Sequence, residues 1–430
     1  MQFSRKQIFI IVGAVLAIGL VYILFTSGSR NANKPPEIAL KVWGVDDRRV
    51  FDGVISAYGA LRSNVHVTYE QIPAANYRET VLNALASGSG PDVFMVPNQS
   101  IPRYADKLVP VNKAQINVSQ LENLFPTAVS QDFVQQGDIY ALPFYIDTLA
   151  LIYNRDALDG VALTLPPKTW TDVQRYVPYL RATNASGQLT RSAVAIGGTE
   201  RTIKNAADIL ILLMMQGGVK LNDVAMSRVT LSGNTQAQKA LNFYLQFANT
   251  VSPSYTWNEE QPYSSDSIAS GRTAMIFGYY ADYVDLQKKN PFVNLAVASM
   301  PQLEGATQAV NISRYSGLAV SKQAKVQNQP WAWDFVVQSA TSANIAKLYA
   351  EATGRLPALR SLIAEKVNDE KLGLFAKQAL TARSWYVPDE EKAREILSNA
   401  IGDVLRGQSD TLRALRKAEE QINQIDVFHP

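Results

Sequence analysis

The chain has 430 residues, 47% of them hydrophobic and 18% charged, and this length predicts two lobes of about 150 to 200 residues rather than one core. The net charge of +3, without a basic stripe interleaved with aromatic residues, excludes an electrostatic nucleic-acid binder. Cysteine is absent and histidine occurs only twice, which excludes disulfides and thiolate chemistry and leaves little material for a zinc site or a Ser/His triad.

An apolar stretch without charge, residues 8–25, follows Arg5 and Lys6 near the N-terminus. As a helix it would reach about 27 Å, close to the roughly 30 Å hydrocarbon core of a bilayer. A cleaved signal peptide usually has a shorter apolar region and a small-residue cleavage site, so we predict an uncleaved membrane anchor over residues 1–30. A cleaved signal or a buried core helix are the alternatives. The early basic pair places the N-terminus in the cytoplasm, and residues 31–36 form a polar tether.

Strands and helices alternate after the tether. The hydrophobic pattern predicts them over residues 38–43 (strand), 47–62 (helix), 65–72 (strand), 76–88 (helix) and 91–97 (strand). This order predicts a parallel sheet with helices on both faces, and ligands of such sheets bind beyond the carboxyl ends of the strands. Those ends carry Trp43, Asp46, Asp47, Asn98 and Gln99.

Residues 137–154 indicate a crossing between two lobes. Pro143 ends a short strand because proline has no N–H to donate. The uncharged, largely apolar run 149–154 is typical of a strand buried on both faces of an open sheet. Asp147 is the one carboxylate between the two strands, and we predict that it lies at the hinge.

Helix starts and one core helix are predicted further along. Ser119 with Glu122 and Thr169 with Asp172 each resemble a capping box. Residues 206–217 are apolar on all sides but too short to span a bilayer, which predicts a core helix.

Seven motifs occur in the order of one known family. They are SGSGPDVFMVP, GDIYALPFYIDTLALIYNRDAL with PPKTWTDV after it, GRTAMIFGYYADY, SGLAVSK, AWDFVVQSAT, TGRLPALRS and GQSDTLRALRKAEEQINQI. From about residue 37 to its end, the chain resembles the extracytoplasmic solute-binding proteins of ABC importers, the family that includes maltose-binding protein. It departs at the front, where an apparent membrane helix replaces a lipid-modified cysteine or a cleaved signal.

The resemblance implies an α/β, two-lobed periplasmic-binding-protein fold, type II-like, with a hinge cleft and the N-terminal transmembrane helix before it. Lobe one would take residues 37–145 and 303–352, and lobe two 146–302 and 353–430. The implied function is a membrane-tethered substrate-binding subunit, not an enzyme and without a cofactor. It would close on a small polar solute, with a sugar or oligosaccharide expected, and deliver it to ABC permease subunits. We expect a monomer, single-pass in the cell membrane, with its binding domain on the extracytoplasmic side.

The family pattern also implies a set of ligand-binding residues. Asp147 matches a hinge carboxylate that accepts hydrogen bonds from sugar hydroxyls. Tyr280 falls near an aromatic residue that stacks on a sugar, although its spacing from Met275 is one residue shorter here. The full set is Trp43, Asp46, Asp47, Asn98, Gln99, Asp147, Tyr280, Arg314, Tyr315, Trp385 and Tyr386. Several of these residues have a structural alternative: helix or turn capping for the carboxylates, core or surface packing for Tyr280 and Trp385, and a solvated surface charge for Arg314.

Two other function classes stay open. A glycosidase could pair Asp46 or Asp47 with Asp147, but nothing in the sequence fixes a suitable separation of the carboxylates. A membrane-anchored module could also bind a solute and signal without transport.

Overall fold

The computed structural model describes residues 36–223, 228–385, 387 and 389–425. The strands of these residues are β1 (Ile38–Gly44), β2 (Val65–Gln71), β3 (Val93–Pro97), β4 (Leu108–Val109), β5 (Val134–Gln135), β6 (Asp138–Ile139), β7 (Leu142–Pro143), β8 (Asp147–Thr148), β9 (Ala150–Asn154), β10 (Ala182–Thr183), β11 (Leu189–Val194), β12 (Thr273–Gly278), β13 (Leu295–Ala298), β14 (Asn311–Arg314), β15 (Ser316–Ser321) and β16 (Ala382–Arg383).

The α-helices of the same residues are α1 (Arg48–Leu61), α2 (Tyr77–Ser87), α3 (Ile101–Tyr104), α4 (Val118–Leu124), α5 (Thr127–Phe133), α6 (Arg155–Asp159), α7 (Trp170–Leu180), α8 (Ala206–Gln216), α9 (Thr235–Leu245), α10 (Ser264–Ala269), α11 (Tyr280–Lys289), α12 (Gln329–Thr341), α13 (Ala343–Thr353), α14 (Arg360–Lys366), α15 (Gly373–Ala379), α16 (Glu390–Leu405) and α17 (Thr411–Asn423).

The first sheet has the strand order β2-β1-β3-β15-β4, and β7 also pairs with β15. The pairs β1–β2 and β1–β3 are parallel, which confirms the βαβαβ prediction. The fourth strand, β15, runs antiparallel to β3 and comes from much later in the chain. The carboxyl ends of β1, β2 and β3 therefore meet at one edge of this sheet.

A second sheet has the order β10-β11-β12-β9-β13, in which β9 runs antiparallel to both β12 and β13. A small third sheet, β16-β14-β8, joins the two larger units. Each of its strands belongs to a different passage of the chain between the units. We call these passages the first crossing (β8), the second crossing (β14) and the third crossing (β16).

Two hydrophobic cores match the two units. The first core draws on residues 38–150 and 315–379, and the second on residues 149–312 and 385–422. The predicted boundary at residue 353 is wrong for one stretch, because α14 and α15 bury Leu362, Ile363 and Phe375 in the first core. The chain leaves the first lobe at β16, well after the predicted position.

The predicted membrane anchor, residues 1–30, lies outside the described residues, as do residues 31–35 of the predicted tether. Among the helices that the structure does describe, none combines the length and the apolar character needed to cross a bilayer. The membrane anchor stays a prediction from the sequence.

Candidate functional site

A cavity of about 260 Å³ lies between the two lobes, at the edge where β1 and β3 end. The first lobe contributes Tyr77, Arg78 and Arg103 to its walls. The second lobe contributes the start of α16, Asp389 to Glu391. Since the walls come from both lobes and carry donors and acceptors, the cavity suits a small polar molecule.

Charged side chains join the lobes beside this cavity. Arg78 Nη2 lies 3.2 Å from Asp389 Oδ2, and Arg103 contacts the same oxygen. The Asp389 side chain is only 7% exposed and that of Arg103 18%. Arg78 also pairs with Glu391. We call Arg78, Arg103 and Asp389 the interlobe bridge.

Asp389 also begins a helix. Its Oδ1 accepts the backbone N–H of Lys392 at 3.3 Å, which makes it the N-cap of α16. The first turn of α16 contains Glu390 and Glu391, carboxylates that favour a helix N-terminus. The local sequence thus fixes three carboxylates at the cleft, because an N-cap aspartate is followed at once by two glutamates.

A charged network supports the second-lobe wall. Arg314 Nη2 donates to Asp208 Oδ2 at 2.9 Å and to Glu390 Oε1 at 3.4 Å. Its guanidinium carbon lies 4.7 Å from the centre of the Tyr279 ring. Arg394 Nη1 donates to Asp208 Oδ1 at 2.6 Å. Arg314 is therefore not a solvated surface charge, since it holds Glu390 at the cavity wall.

A further carboxylate in this network, Glu200, accepts from Arg394 Nη2 at 3.0 Å and from the backbone N–H of Ala207. Burial raises the pKa of Glu200 to about 7. Burial likewise raises the pKa of Asp208, although the guanidinium of Arg314 opposes that change. Three carboxylates thus share two arginines behind the cavity wall.

Asp147 and Tyr280, both predicted as ligand contacts, lie side by side, but the contact is through the backbone. Asp147 Oδ1 accepts the N–H of Tyr280 at 3.0 Å and that of Thr148 at 2.8 Å. Its Oδ2 accepts the N–H of Ala281 at 3.3 Å. The carboxylate therefore caps α11 and ties the first crossing to it. The Tyr280 ring packs edge-on against Phe375, with ring centres 5.3 Å apart.

The loop after β1 is held by hydrogen bonds within the first lobe. Asp46 accepts from the Tyr349 hydroxyl at 2.7 Å and from Arg355 Nη1 at 2.9 Å. Asp47 is the N-cap of α1, which agrees with the capping alternative. Trp43 is 8% exposed, and its indole N–H has no partner among the described residues. Of this loop, Val45 lines the cavity.

Asn98, Gln99 and Tyr315 lie behind the cavity wall. Asn98 and Gln99 follow β3 as predicted, but they are 2% and 7% exposed, while their neighbours Pro97 and Ser100 line the cavity. The Tyr315 ring is 1% exposed and belongs to the first core. Its hydroxyl donates to Asp132, so the predicted direct ligand contact is replaced by a structural role.

Trp385 is 4% exposed and packs in the second core. It lines a separate pocket of about 420 Å³ together with Gln131 of the first lobe and Met215 of the second, rather than the cavity at the ends of β1 and β3. Tyr386 lies outside the described residues. The structure therefore does not bring the Trp385 ring to the same cavity as Arg78 and Arg103.

Sequence reasoning missed Arg78, Arg103 and Asp389. Arg78 lies in α2 and Arg103 in α3, and an arginine in a helix more often faces solvent. The sequence did contain a signal for Asp389, because an aspartate followed by Glu-Glu is typical of a helix start. It contained no signal that this helix start would face two arginines about 290 to 310 residues earlier in the chain.

Comparisons with known proteins agree with this architecture. The family model described as bacterial extracellular solute-binding protein matches residues 54–375. The maltotriose-binding protein of Pyrococcus abyssi is 21% identical over 389 residues, covering 88% of this chain and 79% of that protein. The galactooligosaccharide-binding protein of Bacillus subtilis is 22% identical over 420 residues, covering 94% and 93%.

A solved structure shows the same fold. The cyclic alpha-maltosyl-1,6-maltose binding protein from Arthrobacter globiformis superposes with a TM-score of 0.74 at 16% identity. The match covers 90% of this chain and 98% of that protein. At this identity the likeness concerns the fold, and it agrees with the two-lobed α/β prediction.

Proposed function

The chain belongs to the bacterial extracellular solute-binding protein family, and we propose that it captures a sugar or oligosaccharide in the cavity between its lobes. Membership of this family makes it a binding protein and not an enzyme, and it places the binding lobes on the extracytoplasmic side. The single observation that carries the proposal is the cavity itself, whose walls come from both lobes.

The chemistry of the walls supports a neutral polyhydroxylated ligand. Arg78 and Arg103 donate hydrogen bonds, and Glu390 and Glu391 accept them. A sugar hydroxyl can do both. Since the arginines and carboxylates nearly balance in charge, the cavity has no strong preference for an ion of either sign. The named ligands of the two relatives, maltotriose and galactooligosaccharide, point in the same direction.

The free energy needed for micromolar binding favours contacts from both lobes. Micromolar affinity requires about 8 kcal/mol, whereas one aromatic stacking pair adds about 0.5 to 1.5 kcal/mol beyond its buried area. We propose that Arg78, Arg103 and Glu390 contact the ligand directly. Asp46, Asp147 and Arg314, which the sequence pointed to, hold the walls in place.

The wider proposal concerns transport. We propose that the lobes, joined at the three crossings, close on the sugar and that the closed form delivers it to the permease subunits of an ABC importer. The apolar residues 8–25 support attachment to the membrane, with the binding lobes outside the cell or in the periplasm.

A thermal-shift screen of the full chain tests the ligand class. A ligand that binds only the folded state adds about 2.7 kcal/mol of stability at a hundredfold excess over its Kd. We expect maltotriose or galactooligosaccharides to raise the melting temperature, and spermidine and dipeptides to leave it unchanged. A shift with spermidine or a dipeptide and none with any sugar would contradict the proposal.

A further inference from the structure

A buried carboxylate, Asp132 in α5, lies where the first lobe meets the second and third crossings. The residue is 8% exposed. Its Oδ2 accepts the Tyr315 hydroxyl at 2.6 Å and Asn98 Nδ2 at 2.8 Å, and Asn98 Nδ2 also lies 3.4 Å from the Ser384 hydroxyl oxygen. Among the contacts of the described residues, no cationic side chain pairs with Asp132. Burial raises the pKa of Asp132 to about 7.

The residues around Asp132, which are Asn98, Tyr315 and Ser384, come from three segments of the chain. Asn98 follows β3, and its Oδ1 accepts the backbone N–H of Tyr315 at 3.2 Å. Tyr315 lies between β14 and β15, on the second crossing. Ser384 follows β16, on the third crossing. It also accepts from Gln99 Nε2 at 3.3 Å, and its backbone N–H donates to the neighbour of Asp132, Gln131, at 3.2 Å.

The third crossing leads directly to the second-lobe wall. Asp389 follows Ser384 by five residues and enters the interlobe bridge with Arg78 and Arg103. The position of Ser384 against the first lobe therefore sets where Asp389 meets the arginines. Asp132 therefore contacts the second crossing directly, through the Tyr315 hydroxyl, and the third crossing through Asn98, whose Nδ2 lies 3.4 Å from the Ser384 hydroxyl oxygen.

We infer that Asp132 is a positioning residue for ligand capture, because its carboxylate holds the second crossing, and through Asn98 the third, against the first lobe and so favours the closed cleft. The inference rests on the proposed function. A hydrogen bond to a charged carboxylate is about twice as strong as one between neutral groups. Removing the charge should therefore weaken closure and not only the stability of the first lobe.

The test compares Asp132→Asn and Ser384→Ala with a matched control, Asp334→Asn. Asp334 is also a carboxylate of the first lobe that accepts a tyrosine hydroxyl, from Tyr58 at 2.9 Å, but it lies on α12 away from the crossings. Because the chain has no cysteine, Val326→Cys and Val251→Cys place one spin label on each lobe at exposed positions. The distance distribution between the labels is measured in the full chain without ligand. This measurement and the affinity titration are made at pH 8, because a pKa of about 7 leaves the Asp132 carboxyl group only about half ionised at neutral pH.

Without ligand, we expect an open and a closed population in the parent chain, and a smaller closed population in Asp132→Asn and Ser384→Ala. Maltotriose affinity should fall about tenfold in Asp132→Asn, which weakens hydrogen bonds to a charged group, and by less in Ser384→Ala, which loses only hydrogen bonds between neutral groups. Asp334→Asn should lower the melting temperature and change neither readout. If Asp132→Asn lowers only the melting temperature, as the control does, the inference is overturned.

The distance readout needs no sugar, so the two failures are distinguishable. A parent chain that binds no sugar would refute the proposed function. An unchanged distance distribution in Asp132→Asn would refute the positioning role, whatever the ligand is.

Discussion

Asp389→Asn is expected to weaken sugar binding by at least tenfold and to lower the free energy of unfolding by about 3 kcal/mol. Asparagine keeps the N-cap of α16, since it caps helices about as well as aspartate. It removes the charge that faces Arg78 and Arg103, and losing one partner of a buried ion pair costs about 3 to 5 kcal/mol. The lower end applies because the Arg78 side chain is 44% exposed and can regain water. Calorimetric titration with maltotriose and urea unfolding measure the two quantities.

Asp410→Asn is the matched control for Asp389→Asn. Asp410 is the N-cap of α17 in the same lobe and pairs with Arg413, but both side chains are more than half exposed. Exposed pairs contribute about 0 to 1 kcal/mol, so the control should bind sugar like the parent chain. Equal maltotriose affinity in Asp389→Asn and the parent chain would show that the interlobe bridge does not hold the cleft.

Arg314→Ala is expected to lower the free energy of unfolding by about 3 kcal/mol at pH 8. The change leaves Asp208, with a side chain 8% exposed, and Glu390, 21% exposed, without this guanidinium. Arg394 still pairs with Asp208 and limits the loss. Arg175→Ala is the control, because it breaks the ion pair with Asp172 in which the Arg175 side chain is 65% exposed. It should lower the free energy of unfolding by about 1 kcal/mol or less.

The pH dependence of Arg314→Ala separates charge from packing. Burial already raises the pKa of Asp208, and losing Arg314 raises it further. A carboxyl group whose pKa is higher in the folded than in the unfolded state destabilises the fold fully at pH values above its folded-state pKa. This destabilisation decreases as the pH falls from the folded-state pKa toward the unfolded-state pKa. The loss of unfolding free energy in Arg314→Ala, measured by urea unfolding against the parent chain, should therefore be smaller at pH 5 than at pH 8. An equal deficit at both pH values would assign the loss to packing.

The local elements could be predicted from the sequence because their signals are local. The hydrophobic pattern located β1 to β3 and the helices between them. The capping box at Thr169 and Asp172 is confirmed. The one at Ser119 and Glu122 is wrong, because Asn117 caps α4 with Gln120, two residues earlier. Asparagine caps as well as serine does, and the pattern alone did not distinguish the two starts.

The third crossing could not be located from the sequence. Residues 353–379 form amphipathic helices whose apolar faces fit either core equally well by pattern. Only the packing of Leu362 and Phe375 against the first lobe decides between them. Helical periodicity shows that a face is buried and not what buries it.

The sequence indicated where the candidate site lies better than it indicated which residues line the cavity. The ends of β1 and β3 do face the cavity, as the parallel order implies. Asn98, Asp46 and Asp147 nevertheless point their polar atoms at other protein groups rather than at the cavity. A polar residue at a strand end can bind a ligand or support its neighbour, and that choice depends on partners from distant parts of the chain.

Hydrogen–deuterium exchange with and without saturating maltotriose, or the sugar with the largest thermal shift, tests most directly that one ligand is held between two lobes. We expect slower exchange on both walls, at residues 74–78 and 100–104 of the first lobe and at 389–392 of the second. Protection limited to one lobe, or centred on the pocket at Trp385 instead, would contradict capture in the cavity between them.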